Sequence, residues 1–303
     1  MKRSCPDSEC LSQNKGPNPA RIVRKGSYWR RSDGQRIPRF LCLDCSRSFS
    51  SSRFFPSYRQ KKRKLNFPIM QLLNSGVSQR RAALILGVNR KTIIRKFRFQ
   101  AEQARTKQSA FLEGLEKKGQ PIVSVQFDDL ETSEHSKCKP LSVALAIEPV
   151  SRKILGFQVS SMPARGPLSE IARRRYGHRP DLRSQGWDKL FSSLKPIVHE
   201  KARWLSDENP HYPRHLKRHH PKAVHETTQG RRGCVAGQGE LKKIGFDPLF
   251  SLNHTCAMMR ANLNRLFRRT WCTTKTQAGL IDHISLYVQF HNEVLTPPIP
   301  CTL

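Results

Sequence analysis

The sequence predicts an α/β protein in which one large domain follows two small N-terminal segments. From Pro121 onward, short apolar runs typical of strands alternate with amphipathic helical stretches. Residues 53–103 show helical patterns only, and residues 1–52 combine two cysteine pairs with strand-like composition. Residues 104–120 are polar, as expected of a linker or a linking helix. We therefore divide the 303 residues into these three segments and a large domain over 121–303.

Charge is the outstanding property of the composition. The chain has 55 Lys and Arg against 23 Asp and Glu, a formal net charge of +32, which predicts a polyanionic partner. A membrane surface is the competing polyanion, but the basic residues are spread through segments that are predicted to fold. We find no apolar run of about 18 residues and no signal-peptide pattern, so we expect no membrane association and a cytoplasmic protein.

Four of the nine cysteines form two pairs near the start of the chain. Cys5 and Cys10 lie in "CPDSEC", and Cys42 and Cys45 lie in the C-x-x-C of "CLDC". In a reducing compartment, two such pairs around a short β ribbon predict a structural Zn²⁺ site. Four unrelated buried thiols are the alternative. A segment of about fifty residues gains from such a site because its own core is small.

The stretch "FPIMQLLNSGVSQRRAALILGVNRKTIIRKFRFQ" predicts three short helices. Gly76 should end the first helix and Ser78 should cap the second, which runs to about Leu86. Gly87 then allows a sharp turn, and Asn89 should cap a third helix. This order is typical of a helix-turn-helix that binds DNA.

The third of these helices begins with a basic surface. Arg90, Lys91 and Thr92 lie at its N-terminus, where base edges would be read, and Arg95 and Lys96 would contact phosphates. The alternative is an ordinary helical core with a charged outer face. The net charge of the chain favours double-stranded DNA as the partner.

The large domain has a recognisable order of elements. Three antiparallel strands, a helix, a strand, a short strand and two helices are predicted by the stretches "PIVSVQFDD", "LSVALAIE", "ILGFQVS", "GWDKLFSSLKPIV", "ARWLSDEN", "KAVHETT", "SLNHTCAMMRANLNRLFRRTW" and "TQAGLIDHISLYVQFHNE". This is the order of an RNase H-like domain. In that arrangement the end of the first strand, the end of the fourth strand and one turn of the late helix meet at one point.

Oxygen ligands occur at all three of these positions. Asp128 and Asp207 follow the apolar residues of the first and fourth strands, and Asn253 is the only candidate on the first turn of the late helix. Two Mg²⁺ or Mn²⁺ ions held there, roughly 3.5 to 4 Å apart, would support phosphoryl transfer. Arg260 lies two helical turns after Asn253 and therefore on nearly the same face of the helix.

Other residues compete for these roles. Asn253 could be a plain helix cap instead of a ligand. Four further acids could replace or support the ligands: Asp129, Glu208, Glu226 and Glu240. Five histidines are irregularly spaced among Lys and Arg, which favours a basic surface facing DNA over a second metal site: His211, His215, His219, His220 and His225.

The motifs resemble those of a known family. "FDDLETSEHSKCKPLSVALAIE", "SDENPHY", "GQGELKK" and "DPLFSLNHTCAMMRANLNRLFRRTWCTTK" are similar to bacterial insertion-sequence transposases of the RNase H-like DDE superfamily. The similar branch carries an N-terminal zinc ribbon and often has Asn in place of the final Glu. The resemblance implies that Asp128, Asp207 and Asn253 are the metal ligands and that Arg260 contacts DNA.

The resemblance also implies a function. Such a transposase binds the terminal inverted repeats of its element, cleaves a strand at each end and joins the 3′-OH to target DNA by direct transesterification. We expect it to use two Mg²⁺ ions, to form a homodimer or larger assembly on DNA, and to lie with the bacterial nucleoid. The alternatives are a non-catalytic DNA-binding protein, such as a repressor derived from a transposase, and a nuclease of the same fold that hydrolyses without joining.

Overall fold

A computed structural model describes residues 4–13, 21–229, 247–267 and 273–296. The chain divides into two compact units, Met1–Pro68 and Ile69–Leu303, so the division lies inside the predicted segment 53–103. The strands are β1 (Ile22–Arg30), β2 (Gln35–Cys42), β3 (Ser48–Ser50), β4 (Ile122–Ser133), β5 (Pro140–Ile147), β6 (Ile154–Ser161), β7 (Val198–Asp207) and β8 (Val224–Thr228). The α-helices are α1 (Asn66–Leu73), α2 (Gln79–Ile85), α3 (Arg90–Lys117), α4 (Leu168–Tyr176), α5 (Arg183–Leu194), α6 (Tyr212–His219), α7 (Phe250–Asn262) and α8 (Gln277–Phe290).

The first unit is built on a three-stranded antiparallel sheet in the order β1-β2-β3. The turn between β1 and β2 is closed by Arg30, whose Nε donates to Asp33 Oδ1 at 2.7 Å, and by Gly34 at a positive φ of 64°. Phe40 and Phe49 pack with ring centroids 5.8 Å apart and form the small core together with the cysteines.

The second unit contains a five-stranded mixed sheet in the order β6-β5-β4-β7-β8. The first three strands are antiparallel, and β7 and β8 continue the sheet in parallel to β4. Residues of β5 are buried on both sides because helices cover both faces of the sheet. The predicted α/β class is confirmed, and this arrangement is consistent with an RNase H-like fold.

The two faces of the sheet have separate cores. On one face, α7 and α8 bury Leu252, Met259 and Ile284 against the larger side chains of β5. On the other face, Trp187 of α5 and Tyr212 of α6 pack over Phe127, Trp204 and the alanines of β5. Because side chains alternate along a strand, each residue of β4 and β7 belongs to only one of these cores.

Helix α3 is a single helix of 28 residues. It includes both the predicted third helix and most of the segment 104–120, for which a linker or linking helix was expected. Two contacts hold α3 against the rest of the second unit. Arg105 Nη1 donates to Asp282 Oδ1 of α8 at 2.7 Å, and Gln108 Nε2 donates to two carbonyls of β6. The segment is therefore a linking helix that packs on the sheet unit.

Two helices of the second unit were not expected from the sequence. Helix α4 has few apolar residues, and α6 has eight residues of mostly polar composition, with Tyr212, His215 and Leu216 on its buried side. Neither sequence is long and apolar enough to stand out as a helix. Within the part of the chain that the structure describes, no helix is long and apolar enough to cross a membrane.

Candidate functional site

Asp128 and Asp207 lie side by side where the parallel pairing of β4 and β7 stops. The last paired residues are Gln126 and Leu205, and each aspartate follows two residues later on its strand. Leu205 belongs to the core under α7 and α8, so the alternation of side chains directs both carboxylates to that face. Asp128 is in the middle of β4 rather than at its end, because β4 continues as a hairpin with β5 to Ser133.

The surroundings of Asp128 disfavour a negative charge on its carboxylate. Burial, and then the nearby charge of Asp207, raise the pKa of Asp128 to about 7. Tyr212 donates from its hydroxyl to Asp128 Oδ1 at 3.3 Å, and burial raises the pKa of that tyrosine above its usual range. Two adjacent, half-buried carboxylates are a suitable pair of ligands for a hard divalent cation, which would offset their mutual repulsion.

The structure separates Asp128 from its neighbour Asp129. Trp187 Nε1 donates to both carboxylate oxygens of Asp129, at 3.0 and 3.1 Å, on the α5 and α6 face of the sheet. Adjacent residues of a strand point to opposite faces, so Asp129 cannot replace Asp128 beside Asp207 without a change of register. Asp129 instead fixes α5 on the sheet.

The other alternative acids are placed differently. Glu226 of β8 accepts two hydrogen bonds from Arg203, at 2.7 and 2.6 Å, and this pairing lowers its pKa. Glu208 is exposed after the end of β7. Glu240 lies outside the described residues. Asp207 lies beside Asp128 at the end of the β4–β7 pairing, on the face that α7 covers.

Helix α7 presents three residues on one stripe, at Asn253, Cys256 and Arg260. Burial raises the pKa of Cys256 to about 12, the charge of Asp128 raises it as well, and Arg260 lowers it. Cys256 is thus near both Asp128 and Arg260. Residues three and four apart on a helix share a face, so Asn253 and Arg260 lie one turn to either side of this point.

Asn253 is not the N-cap of α7. The helix begins at Phe250 after Leu249, and the backbone N–H of Asn253 donates to Leu249 O at 2.9 Å. Its side-chain Nδ2 donates to Asp247 Oδ2 at 2.9 Å, which orients the amide and leaves Oδ1 out of that bond. The plain capping role considered above is therefore excluded.

Gln126 is a functional candidate that the sequence reasoning missed. Its side chain is buried, Nε2 donates to Pro248 O at 2.8 Å, and Oε1 accepts from the backbone N–H of Leu252 at 3.0 Å. These bonds join the start of α7 to β4, two residues before Asp128. A polar residue within the apolar run "PIVSVQF" was the available signal.

The histidine-rich region packs inside the second unit. His215 and His219 both hydrogen-bond to Asp188 of α5, at 2.9 and 3.0 Å. His220 Nε2 donates to Phe191 O at 3.0 Å, and His225 is 2.9 Å from the hydroxyl of Ser206. The expected DNA-facing surface is wrong for His215 and His220, which are buried. His219 and His225 are half-buried and bonded inside the unit, and His211 is exposed and stacked on Trp187.

The four cysteines of the first unit form one cluster. Their sulfurs all lie within 4.8 Å of one another, with Cys5 and Cys45 3.5 Å apart and Cys10 and Cys42 3.6 Å apart. A tetrahedral ion with bonds of about 2.3 Å would set the sulfurs roughly 3.8 Å apart, so the cluster could hold zinc. Burial raises the pKa of Cys5 to about 12; at Cys42, burial is outweighed by hydrogen bonds from Ser12 and backbone amides, and the pKa falls to about 6.

The predicted DNA-contacting residues lie at the start of α3. Asn89 accepts from the backbone N–H of Lys91 at 2.8 Å, in the capping role expected for it. Arg90, Lys91 and Arg95 are exposed and Thr92 is half-buried. The side chain of Lys96 is only 4% exposed. The expected phosphate contact of Lys96 does not hold in this conformation, because this position belongs to the inner side of the helix.

Comparisons with known proteins add little to this geometry. Neither a family model nor a curated protein sequence matches the chain. The solved structure titled "Crystal structure of a pre-cleavage Mos1 transpososome" aligns with 74% of this chain and 76% of its own, at 10% identity and a TM-score of 0.19. At that TM-score the likeness carries no argument, so function has to be argued from the residues of the site.

Proposed function

We propose that this chain is a DNA transposase that cleaves a strand at each end of a DNA element and joins the resulting 3′-OH to target DNA. The observation that carries the proposal is the position of Asp128 and Asp207. They lie beside each other on the face of the sheet covered by α7, opposite the stripe that bears Asn253 and Arg260.

The donor set suits divalent magnesium or manganese. Asp128, Asp207 and the side-chain oxygen of Asn253 are hard oxygen ligands of the kind that these ions prefer. Two such ions, when bound, activate the attacking oxygen and stabilise the leaving oxygen of an in-line displacement at phosphorus. The residues of the chain hold and orient this site: Tyr212 hydrogen-bonds to Asp128, and Gln126 joins the start of α7 to β4.

The reaction exchanges phosphodiester bonds. In cleavage, a water oxygen bonds to phosphorus while the P–O3′ bond breaks, and the freed O3′ takes up a proton. In joining, that 3′-OH loses its proton and bonds to a target phosphorus, while the target P–O3′ bond breaks. One phosphodiester replaces another in the second step, so no external energy source is required. Arg260 has the charge to contact a phosphate near the reacting group.

DNA recognition is proposed for the N-terminal part of the chain. Arg90, Lys91 and Thr92 at the start of α3 would read bases of the element's terminal inverted repeats, and Arg95 would contact phosphate. A structural zinc ion on the four cysteines would stabilise the first unit, whose hydrophobic core is small. The net charge of +32 favours this assignment over a protein partner.

The proposal is tested by strand cleavage of the DNA that flanks the gene, with Mg²⁺ or Mn²⁺. Asp128→Asn, Asp207→Asn and Asn253→Ala should each reduce cleavage by roughly 100-fold or more, since each removes a ligand. Glu208→Gln is the matched control, because it neutralises the exposed acid next to Asp207 and should leave cleavage intact. DNA binding is measured in parallel to show that every variant is folded.

The outcomes separate the alternatives. Tight DNA binding by the wild type without cleavage would contradict catalysis and favour a DNA-binding relic. Cleavage without joined products would favour a nuclease. Equal losses in Glu208→Gln and Asp207→Asn would remove the reason for assigning Asp207 as a ligand.

A further inference from the structure

A second charged site lies in the second unit, and its lining does not include Asp128 or Asp207. It is a cavity of about 370 Å³ between α2, the start of α3, residues 264–265 after α7 and residues 273–275 before α8. We call it the cationic cavity, and the described residues that line it are Ser78, Gln79, Arg80, Arg90, Asn264, Arg265, Thr273, Lys275 and His283.

The lining is strongly one-sided in charge. Four of these residues are Arg or Lys, and none of the described lining residues is Asp or Glu. Within the described parts of the chain, Arg80, Arg90 and Lys275 form no ion pair with a carboxylate. Lys275 Nζ instead lies 3.3 Å from the hydroxyl of Thr273. Arg80, Arg90 and Lys275 are gathered on a lining without Asp or Glu and repel one another, so an anion in the cavity would relieve that repulsion.

The buried wall of the cavity is polar and neutral. His283 is almost fully buried; its Nε2 donates to Leu73 O at 2.9 Å, and Nδ1 has no hydrogen-bond partner among the described residues. Burial, and then the charge of Arg265, lower the pKa of His283 to about 4. The positive charge therefore comes from the Arg and Lys side chains at the rim. Asn264, also buried, adds an amide to the wall.

The cavity is held by direct bonds between its elements. Besides the His283 bond to the end of α1, the backbone N–H of Gly76 donates to Asn262 O at 2.7 Å. Arg265 lies over the ring of Phe97 in α3, 5.9 Å from its centroid. These contacts fix the start of α3 relative to the end of α7 within the second unit.

We propose that the cationic cavity binds a backbone phosphate of duplex DNA. The identity of the anion as DNA rests on the proposed function. From Asn253 to Asn262, α7 covers about 14 Å of helix axis, which equals about four base pairs of B-DNA at 3.4 Å each. A duplex with one phosphate in the cavity would therefore have a scissile phosphate within a few base pairs, and Arg90 would connect this contact to the reading of bases by α3.

The test is the salt dependence of DNA binding without metal ions, with a 30-base-pair duplex of random sequence as probe. We compare the wild type with Arg80→Ala/Lys275→Ala, in which both replaced side chains are exposed. Loss of one phosphate contact should lower the slope of log K against log[NaCl] by about 1 and weaken binding by about tenfold at moderate salt. The charge-retaining Arg80→Lys/Lys275→Arg variant should keep most of the slope.

The matched control removes two positive charges at the C-terminal end of α3. Lys117 and Lys118 are exposed, and Lys117 lies about 40 Å along α3 from Arg90. Lys117→Ala/Lys118→Ala should leave the slope unchanged. An unchanged slope in the cavity variant, or an equal fall in this control, would overturn the proposal.

A second arm distinguishes DNA from a free anion. The melting temperature is measured in inorganic phosphate and in chloride at equal ionic strength. Stabilisation by phosphate that only the cavity variant loses, together with an unchanged DNA slope, would assign the cavity to a small anion and reject DNA. None of these measurements uses cleavage. If the wild type fails to cut DNA, but the cavity variant still has a lower slope of log K against log[NaCl], the proposed catalysis is refuted and this inference is supported.

Discussion

Gln126 shows how one buried amide can connect the two halves of the candidate site. Helix α7 has no side-chain cap from Leu249, so the backbone N–H groups of its first turn need partners from elsewhere. Gln126 accepts from the N–H of Leu252 and donates to Pro248 O, and it does so from the strand that carries Asp128. The distance between Asp128 and the stripe of α7 therefore depends on this side chain.

At the scale of single residues, we predict that Gln126→Leu destabilises the protein by about 1 to 3 kcal/mol, because the Leu252 N–H and the Pro248 carbonyl lose their buried partner. The free energy of unfolding is measured by urea denaturation. Gln289→Leu is the control, since Gln289 makes only a surface contact with Glu293, and its effect should stay below about 0.5 kcal/mol. Similar small effects in both variants would show that the Gln126 bonds do not hold α7.

His283 is a second residue whose environment predicts a measurable effect. Burial, then Arg265, lower its pKa from 6.5 to about 4, so the unfolded chain binds this proton at a higher pH than the folded chain. Stability should therefore fall as pH drops from about 6.5 towards 4. At pH 4.5 the loss from this residue should be about 2 to 3 kcal/mol.

The measurement is urea denaturation at pH 7.5 and 4.5 for the wild type and His283→Gln. Glutamine can keep the bond to Leu73 O but does not titrate, so the variant should lose less stability on acidification by about 2 kcal/mol. Other histidines titrate equally in both proteins and cancel in the comparison. The same acid sensitivity in both proteins would contradict the assignment.

At the scale of elements, the ribbon of the first unit depends on its cysteine cluster. The three strands bury only a few large side chains around Phe40 and Phe49, so packing contributes little. The four sulfurs are already within 4.8 Å of one another. Structural zinc in sites of this kind contributes roughly 10 kcal/mol or more of apparent binding free energy, which exceeds what so small a core can supply.

We predict that Cys42→Ser lowers the zinc content from one ion per chain to near zero and makes the first unit sensitive to protease. Zinc is measured by atomic emission on the purified protein. Cys138→Ser is the control because Cys138 is buried in the second unit, outside the cluster, and should retain the ion. Full zinc retention by Cys42→Ser with an intact fold would reject the site.

At the scale of the molecule, the described residues contain one set of candidate catalytic groups. Asp128, Asp207 and Asn253 occur once on the α7 face of the sheet, and the start of α3 presents one set of exposed basic side chains. Under the proposed function, the transposed DNA segment has two ends, and each end needs its own site for cleavage and joining. One chain can serve one end at a time.

We therefore predict a homodimer or larger assembly on paired element ends. The stoichiometry is measured by mass photometry on complexes with DNA ends, and the cleaved products are analysed from the same sample. Mixing wild type with Asp128→Asn should yield complexes cut at one end only. A monomeric complex with both ends cut would refute this arrangement.

Much of the architecture was predictable because it follows local patterns. Apolar runs predicted all five strands of the large sheet, and Gly76, Ser78, Gly87 and Asn89 predicted the end of α1, the limits of α2 and the start of α3. The third helix was expected to end near Phe99, but α3 runs to Lys117. Helices α4 and α6 were not predicted, and α6 is held by histidines bonded to Asp188. The choice between a linker and a linking helix for 104–120 was left open, and partners such as Asp282 stabilise the helix there.

The sequence by itself determined the α/β class, the cysteine cluster and the candidates Asp128, Asp207 and Asn253, because periodicity, spacing and residue chemistry are local properties. Only the tertiary structure showed that Asp128, and not Asp129, lies beside Asp207, because adjacent residues of a strand point to opposite faces of the sheet. It also revealed the bonds of Gln126, the burial of Lys96 and the gathering of Arg80, Arg265 and Lys275. These depend on which elements pack together, and residues distant in sequence meet only when the chain folds.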